Sequence, residues 1–388
     1  MGKSTFKYIP VRVAFVLLVT MCSYFLVKGQ STTGKEYNLL IGTYTEPGKS
    51  EGIYVYRFNS ETGAFSYKSK AVGIENPSYL TISNDHKHVY SVHEVGDGKG
   101  RVSSFSFDPA TGQLHLMNSA SSGGNGPCYI TVDSENKYAF VGNYGGGNIS
   151  AIPIRADGTF GSSLQSIRHY GKSIGQDQDR PHVHAALLSP DDRFLFVPDL
   201  GTDKVNIYNV DLSAANPLTP ASPAFISVKA GSGPRHFTFH PNGRFAYVIQ
   251  ELTGDVTAFE YGNGNLKEIQ EVSLPLPGHK KVGADAADIH ISPDGKFLYG
   301  SLRGDINELV YYAVREDGKL VYAGRHSTLG KGPRNFVIDP TGKFLLVGNG
   351  ESDEIVIFQR NQQTGKLVFA GKKIAVGAPV CLKFVAMD

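Results

Sequence analysis

One hairpin pattern recurs six times in this chain of 388 residues. Each copy has a strand of alternating apolar residues, a tight turn such as Ser-Pro-Asp-Gly or His-Pro-Asn-Gly, and a second apolar strand. Alignment of the turns places six residues in register: Pro77, Pro127, Val183, Pro234, Ala286 and Pro333. The successive spacings are 50, 56, 51, 52 and 47 residues. Such a repeat predicts stacked units, because a single unit cannot bury its apolar face alone.

Two further strands follow the hairpins. Segments such as GDVTAFEY and EIVIFQR have the pattern of a third strand, and NLKEIQEVSL and GKLVFAGKKI that of a weaker fourth strand. The 45 glycines, 20 tyrosines and 22 phenylalanines favour a chain made of many strands and turns. Four strands in about 50 residues are typical of one blade of a β-propeller.

A seventh blade is divided between the two ends of the chain. The C-terminal segment GAPVCLKFVAMD supplies one inner strand, and its Pro379 lies 46 residues beyond Pro333. The segment EYNLLIGTYTEPGKSEGIYVYRFNSETGAF supplies the second, third and fourth strands. Joining the two ends in one sheet leaves no open edge. We therefore predict an all-β, seven-bladed β-propeller of four-stranded antiparallel blades, formed by residues 30–388 as one domain.

The first 29 residues have the pattern of a signal peptide. A basic start, MGKSTFKYIPVR, leads into an apolar run at 13–27, and Val27-Lys28-Gly29 suits cleavage after Gly29. The run is short for a membrane span, which needs about 20 residues. We predict that the protein is exported, to the periplasm or the medium, and keeps no stable membrane span after cleavage. An uncleaved N-terminal anchor is the alternative.

Charge and cysteine content exclude several classes of protein. Four of the 38 basic residues and none of the 36 acidic residues lie in the first 29 positions, so the remainder is slightly acidic. No basic tract remains, and a nucleic-acid partner is not expected. Cys128 and Cys381 have no spacing typical of a disulfide framework. His182 and His184 alternate as zinc ligands do, but no third ligand has a suitable spacing, and we predict no metal.

The propeller geometry predicts where polar side chains gather. In each blade, the residue that precedes the first strand and the residue that follows the second strand lie at the same mouth of the central channel. The first group contains Ser78, Cys128, His184, Arg235, Ala287 and Arg334. The second group contains Glu94, Tyr144, Leu200, Glu251, Arg303 and Gly350, and it is preceded by His93, Asn143, Asp199, Gln250 and Asn349. The turns at the opposite mouth have ordinary turn residues. We therefore place the functional site at the mouth where these two groups of residues meet.

Arg235 and His236 precede a buried hairpin, and Glu251 follows it. Charged groups at such positions are costly unless they are paired or functional. A structural ion pair between Arg235 and Glu251 is one interpretation, and a binding or catalytic site is the other. Asp199 and Asn349 have a similar alternative, because they also suit turn caps or contacts between blades. Residues at the mouth are expected to contribute little to the core.

Four long stretches resemble one known family. PHVHAALLSPDDRFLFVPDLGTDKV, GPRHFTFHPNGRFAYVIQEL, DIHISPDGKFLYGSLRG and GPRNFVIDPTGKFLLVGNGESD are similar to the seven-bladed propeller lactonases, which include propeller-type 6-phosphogluconolactonases and carboxymuconate lactonizing enzymes. The resemblance covers the whole mature chain and implies hydrolysis of a sugar lactone. It assigns the catalytic residues to His184, Arg235, Glu251 and Arg303. The phosphogluconate pathway is cytosolic, whereas this chain has a predicted export signal. The signal therefore suggests a sugar lactone other than that of the pathway.

These residue types suit ester hydrolysis. Arginine stays protonated, so Arg235 and Arg303 would stabilise the developing oxyanion. His184 is the better general base near neutral pH, while Glu251 either orients an arginine or is itself the base. No Gly-x-Ser-x-Gly motif is present, which favours direct attack by water without a cofactor. The predicted substrate-binding residues are Glu94, Asn143, Asp199, His236, Arg334 and Asn335, of which Arg334 and Asn335 would hold a phosphate.

Two other functions fit the same mouth. A lactonizing cycloisomerase of this family would use the same histidine, arginines and glutamate on a carboxylate-bearing diene. A non-catalytic, exported propeller would use the mouth to bind a ligand, and the fold alone does not separate binding from catalysis.

Overall fold

A computed structural model describes residues 1–3, 36–45, 49–273 and 284–387. In these ranges the chain forms seven four-stranded antiparallel sheets and no helix, which confirms the predicted all-β propeller. Residues 34–388 form one compact unit. Apart from residues 1–3, the predicted signal peptide and its cleavage site lie outside the described ranges.

Six blades follow one another along the chain and are numbered in that order. The strands of each blade are given from the inner strand outwards. Blade 1 consists of β4 Leu80–Ile82, β5 His88–His93, β6 Arg101–Phe107 and β7 Leu114–Ser121. Blade 2 consists of β8 Pro127–Val132, β9 Tyr138–Asn143, β10 Asn148–Pro153 and β11 Gln165–Arg168. Blade 3 consists of β12 Leu187–Leu188, β13 Phe194–Asp199, β14 Lys204–Val210 and β15 Leu218–Ser227. Blade 4 consists of β16 Pro234–Phe239, β17 Phe245–Gln250, β18 Val256–Gly262 and β19 Asn265–Val272. Blade 5 consists of β20 Ala286–Ile291, β21 Phe297–Leu302, β22 Glu308–Val314 and β23 Leu320–Ser327. Blade 6 consists of β24 Pro333–Ile338, β25 Phe344–Asn349, β26 Glu354–Arg360 and β27 Leu367–Ala375.

Blade 7 joins the two ends of the chain. It consists of β28 Pro379–Ala386, β1 Glu36–Thr43, β2 Gly52–Asn59 and β3 Phe65–Val72. β28 pairs with β1 over its whole length, from Tyr37 opposite Ala386 to Thr43 opposite Pro379. The inner strand β28 also contacts β24 and β4 of the flanking blades. The predicted closure by terminal strands is therefore confirmed.

Neighbouring blades are joined by a repeated contact between a tyrosine and a glycine. The hydroxyl of Tyr247 in blade 4 donates to the carbonyl of Gly318 in blade 5, at 3.0 Å. Tyr299 in blade 5 makes the same bond to Gly365 in blade 6, at 2.6 Å. Both glycines have a positive φ, and a side chain there would collide with a phenylalanine ring of the preceding blade. Glycine is required at these turns because it alone permits both the backbone conformation and the close approach.

A β-bulge near the start of the inner strand shapes the mouth. The register shifts in blades 2, 4, 5 and 6, between Pro127 and Tyr129, Pro234 and His236, Ala286 and Ile289, and Pro333 and Asn335. A bulge places an extra residue against one partner and so breaks the strict alternation of side chains. Consecutive residues such as Arg235 and His236 are therefore both turned toward the channel.

Candidate active site

The residues that precede the inner strands converge on one small cavity in the channel. Its volume open to the centre of a water molecule is ≈ 10 Å³, about the size that holds a single water. It is lined by residues of blades 1, 2, 3, 4 and 6 and by one residue of β28 in blade 7. The lining residues are Ser78, Tyr79, Cys128, His184, Arg235, His236, Arg334, Asn335 and Val380. The structure thus brings together most of the first group of mouth residues that the sequence placed in register.

Glu251, which follows β17, binds two arginines at this mouth. Its Oε2 lies 2.7 Å from Nε of Arg235, and its Oε1 accepts a hydrogen bond of 3.0 Å from Arg303. Arg303 follows β21 in the next blade and also contacts Oδ1 of Asp285 at 2.5 Å. Arg235 donates to the backbone carbonyl of Ala287 across the blade boundary. The carboxylate therefore fixes two guanidinium groups from neighbouring blades side by side.

The arginines control the protonation of this carboxylate. Burial alone would raise the pKa of Glu251, but the charges of Arg235, Arg303 and Arg334 outweigh it and lower that pKa below its ordinary value. Burial lowers the pKa of Arg235 to about 10, against the opposing effect of Glu251. Both groups are consequently charged at neutral pH.

His184 lies beside this ion cluster. Its Nε2 is 3.9 Å from Oε2 of Glu251, and its Nδ1 is 3.8 Å from the thiol sulfur of Cys128. Burial, together with Arg235, holds the pKa of His184 well below its usual value. The imidazole is therefore neutral near pH 7, as a general base must be. His184, Arg235, Glu251 and Arg303, to which the resemblance assigns catalysis, therefore lie in one connected group.

A second ion cluster occupies another side of the mouth. Glu94 accepts hydrogen bonds from the hydroxyls of Tyr44, at 2.9 Å, and Ser78, at 2.5 Å. Nη2 of Arg334 lies 3.5 Å from Oε1 of Glu94, and its guanidinium packs over the ring of Tyr44. Tyr44 belongs to the divided blade, where the hairpin alignment did not extend, and this is why the sequence did not single it out.

A deeper layer of side chains closes the channel beneath the arginines. Tyr79 and Tyr129 stack with ring centroids 4.1 Å apart, and His236 meets Tyr129 edge to face. His236 donates from Nδ1 to Oδ1 of Asp288 at 2.7 Å. Asn335 donates to the other carboxylate oxygen of Asp288 and accepts from the backbone of Leu382 in β28.

Asp288 was missed by the sequence reasoning, although a signal was present. Each member of the deeper layer stands one position after a residue of the first mouth group, so the same alignment contains it. Asp288 also lies between Ala287 and Ile289 in a buried strand, where an unpaired carboxylate would be costly. Burial would raise the pKa of Asp288, but His290 and His236 reverse this and hold the pKa well below its usual value.

Two predicted substrate-binding residues lie in other surroundings. The amide of Asn143 donates to the carbonyl of Ser122 at 3.2 Å and does not line the cavity. Asp199 accepts from the backbone of His182 at 2.8 Å and pairs with Nδ1 of His169 at 2.8 Å. Both side chains are completely buried. For Asp199 these contacts favour the alternative interpretation, in which it holds the segment before β12, and Asn143 contacts the loop before β8.

No group of three or more His, Cys, Asp or Glu side chains within the described ranges is arranged to hold a metal ion. Cys128 and Cys381 are both free and buried. The same ranges contain no helix long and apolar enough to span a bilayer.

Comparison with known proteins agrees with this fold. Residues 38–384 match the family model described as a lactonase with a seven-bladed β-propeller. A 6-phosphogluconolactonase of Formosa agariphila is 36% identical over 302 residues, which cover 77% of this chain and 85% of the relative. The chain therefore belongs to the lactonase family of seven-bladed β-propellers.

Two solved structures share the whole propeller. A Bacteroides fragilis protein, described as a candidate 6-phosphogluconolactonase, is 42% identical with a TM-score of 0.87, covering 92% of this chain and 99% of its own. The periplasmic gluconolactonase of Pseudomonas aeruginosa is 39% identical with a TM-score of 0.86, covering 91% and 100%.

Proposed function

We propose that this protein hydrolyses a sugar lactone by direct attack of water at the mouth defined by Glu251. The observation that carries the proposal is the pair of guanidinium groups, Arg235 and Arg303, fixed by one ionised carboxylate beside neutral imidazoles. Hydrolysis of a cyclic ester needs fixed positive charge where the carbonyl oxygen becomes an oxyanion. It also needs an unprotonated base to take a proton from the attacking water. The names of the Formosa and Pseudomonas relatives support the same reaction class.

Arg235 and Arg303 are the proposed oxyanion-stabilising groups, and Glu251 is the residue that positions them. Both carboxylate oxygens of Glu251 face guanidinium groups, and its lowered pKa makes it a weak base. This supports the role of orienting residue over that of general base. The thiol of Cys128 is not a suitable nucleophile, because burial raises its pKa to about 12. The proposed reaction is therefore direct attack by water, without a covalent intermediate on Cys128.

The charge balance of the mouth favours an uncharged lactone over a phosphorylated one. Arg235 and Arg303 are matched by Glu251 and Asp285. Arg334 is matched by Glu94. A phosphate dianion would have to displace one of these carboxylates, whereas a neutral aldonolactone needs only hydrogen bonds. We therefore propose an unphosphorylated aldonolactone as the preferred substrate.

A substrate panel tests this preference. We expect kcat/KM for an unphosphorylated aldonolactone to exceed that for its 6-phosphate by at least about tenfold, the factor that corresponds to 1.4 kcal/mol. The measurement is proton release at fixed pH with each lactone, at several salt concentrations. Preference for the 6-phosphate, with a raised KM for it in Arg334→Ala, would instead assign Arg334 to phosphate binding.

Export is the second part of the proposal. The signal-like first 29 residues support it, and the Pseudomonas relative is described as periplasmic. We expect the mature protein from cells to begin at Gln30, which N-terminal sequencing of the periplasmic or secreted fraction measures. A chain that begins at Met1 and remains in the cytosol would contradict export without affecting the proposed chemistry.

A further inference from the structure

His236 and Asp288 form a buried pair that the assigned residues do not explain. The 2.7 Å contact from Nδ1 of His236 to the carboxylate of Asp288 crosses from blade 4 to blade 5. Asp288 is held from its other side by Nε2 of His290, at 2.9 Å, and by the amide of Asn335. A carboxylate accepts only, so the proton of the neutral imidazole is fixed on Nδ1. The lone pair of His236 is therefore on Nε2.

This second nitrogen has no protein partner. Nε2 of His236 is buried and makes no hydrogen bond to any described residue, and the His236 ring lines the mouth cavity. A buried polar atom without a partner is unusual and calls for a functional explanation. The cavity is about the size of one water molecule, which is the reactant that a general base would deprotonate.

His184 has a weaker arrangement for the same task. Its two ring nitrogens lie 3.9 Å from Glu251 and 3.8 Å from the sulfur of Cys128, so no short bond fixes its tautomer. The two imidazoles are close neighbours, with ring centroids 5.4 Å apart, and their side chains are almost equally buried. The difference between them is the carboxylate, which orients His236 and would stabilise it once protonated.

We propose that His236, oriented by Asp288, is the general base of this site. The proposal depends on the lactone hydrolysis proposed above and deepens it. Water attacks the lactone carbonyl carbon while one of its protons moves to Nε2 of His236, and the carbonyl electron pair becomes an oxyanion facing Arg235 and Arg303. The tetrahedral intermediate then collapses, the ring C–O bond breaks, and the imidazolium returns its proton to the leaving alkoxide. Asp288 stays ionised throughout, and the product is the open hydroxy acid.

The surroundings keep His236 neutral until it takes this proton. Burial lowers its pKa from 6.5 to about 4, with Arg235 acting in the same direction and Asp288 opposing. The charged and titratable groups that face it are Asp288, Arg235, Arg334, His184, Tyr79 and Tyr129. Arg235 and Arg334 face His236 as cations, so the Asp288 carboxylate is the group that compensates an imidazolium.

Two substitutions test the proposal in the full-length protein. We expect His236→Gln to lower kcat on the preferred aldonolactone by about 10²–10⁴-fold with little change in KM, which is the usual contribution of a general base. Asp288→Asn should lower kcat by at least about tenfold, because the amide no longer favours the same tautomer or stabilises the imidazolium. His240→Gln is the matched control. His240 lies at the opposite end of the same hairpin, bonds to Gly295 of the same neighbouring blade, and should leave kcat within about threefold.

Rescue separates a catalytic from a structural role. Imidazole added to His236→Ala should restore part of kcat in a saturable manner, since the deleted ring leaves space of its own size. A folded His236→Gln with wild-type kcat would overturn the proposal, as would loss of kcat confined to His184→Asn. If His236→Gln does not fold, a folded Asp288→Asn with wild-type kcat overturns it instead. Absence of lactone hydrolysis by the wild-type protein is a different result, and it would refute the proposed function itself.

Discussion

Replacement of Arg303 by alanine is expected to lower kcat for lactone hydrolysis by about 10²–10³-fold, the usual effect of removing one preorganised oxyanion donor. Arg303 is a sharper probe than Arg235. It retains some exposure at the mouth, whereas Arg235 is among the largest completely buried side chains of the described chain. Melting temperature and steady-state kinetics should be measured on the same preparation, so that activity refers to folded protein.

Arg325→Ala is the matched control for this substitution. Arg325 lies in the same blade, on the outer strand β23, and its Nε contacts Glu308 at 2.6 Å with similar partial burial. We expect a comparable change in melting temperature and an unchanged kcat. If Arg303→Ala instead lowers the melting temperature and leaves kcat at the wild-type value, the Glu251 cluster is a structural ion pair and not an oxyanion site.

Deletion of the chain from Ala378 onward is expected to abolish cooperative folding. The deletion removes β28, whose Val380, Cys381, Leu382 and Val385 are almost completely buried, and it exposes β1 as an open edge. Burial of these four side chains contributes on the order of 5–10 kcal/mol. This is comparable to the whole stability of a typical domain, about 5–15 kcal/mol. Thermal and urea unfolding followed by circular dichroism measure the effect.

The matched truncation ends at Ala386 and removes only the two residues beyond β28. It should unfold at the wild-type temperature. A protein that lacks β28 and still melts cooperatively at that temperature would show that the ring does not depend on its terminal closure, contrary to the contacts of β28 with β1, β4 and β24.

The blade count and the mouth were predictable because both follow from periodicity. The turn residues recur about every 50 residues, and alternating apolar residues define the strands on either side, so the register along the chain determines which residues meet. This register alone places Arg235, Glu251 and Arg303 at one mouth. The divided blade was predictable for the same reason, since an unpaired inner strand at the C-terminus requires partners from elsewhere.

His236 and Asn335 of the deeper layer were predicted from the sequence, but Asp288 and the stacked Tyr79 and Tyr129 were not, because pairing across blades depends on side-chain direction. Bulges at the starts of β16, β20 and β24 turn two consecutive residues toward the channel, and a strict alternation of side chains hides one of them. The expectation that mouth residues contribute little to the core is wrong for Arg235, which is 1% exposed. Removal of one partner from such a buried ion pair typically costs about 3–5 kcal/mol.

Turnover by the purified protein tests the central claim most directly. Proton release from an unphosphorylated aldonolactone should be saturable in substrate, with kcat on the order of 1–10³ s⁻¹ above the spontaneous reaction. Glu251→Gln should reduce this rate strongly while the protein remains folded. Binding of the lactone at the mouth without any acceleration of its hydrolysis would contradict the account and indicate a binding protein on a lactonase fold.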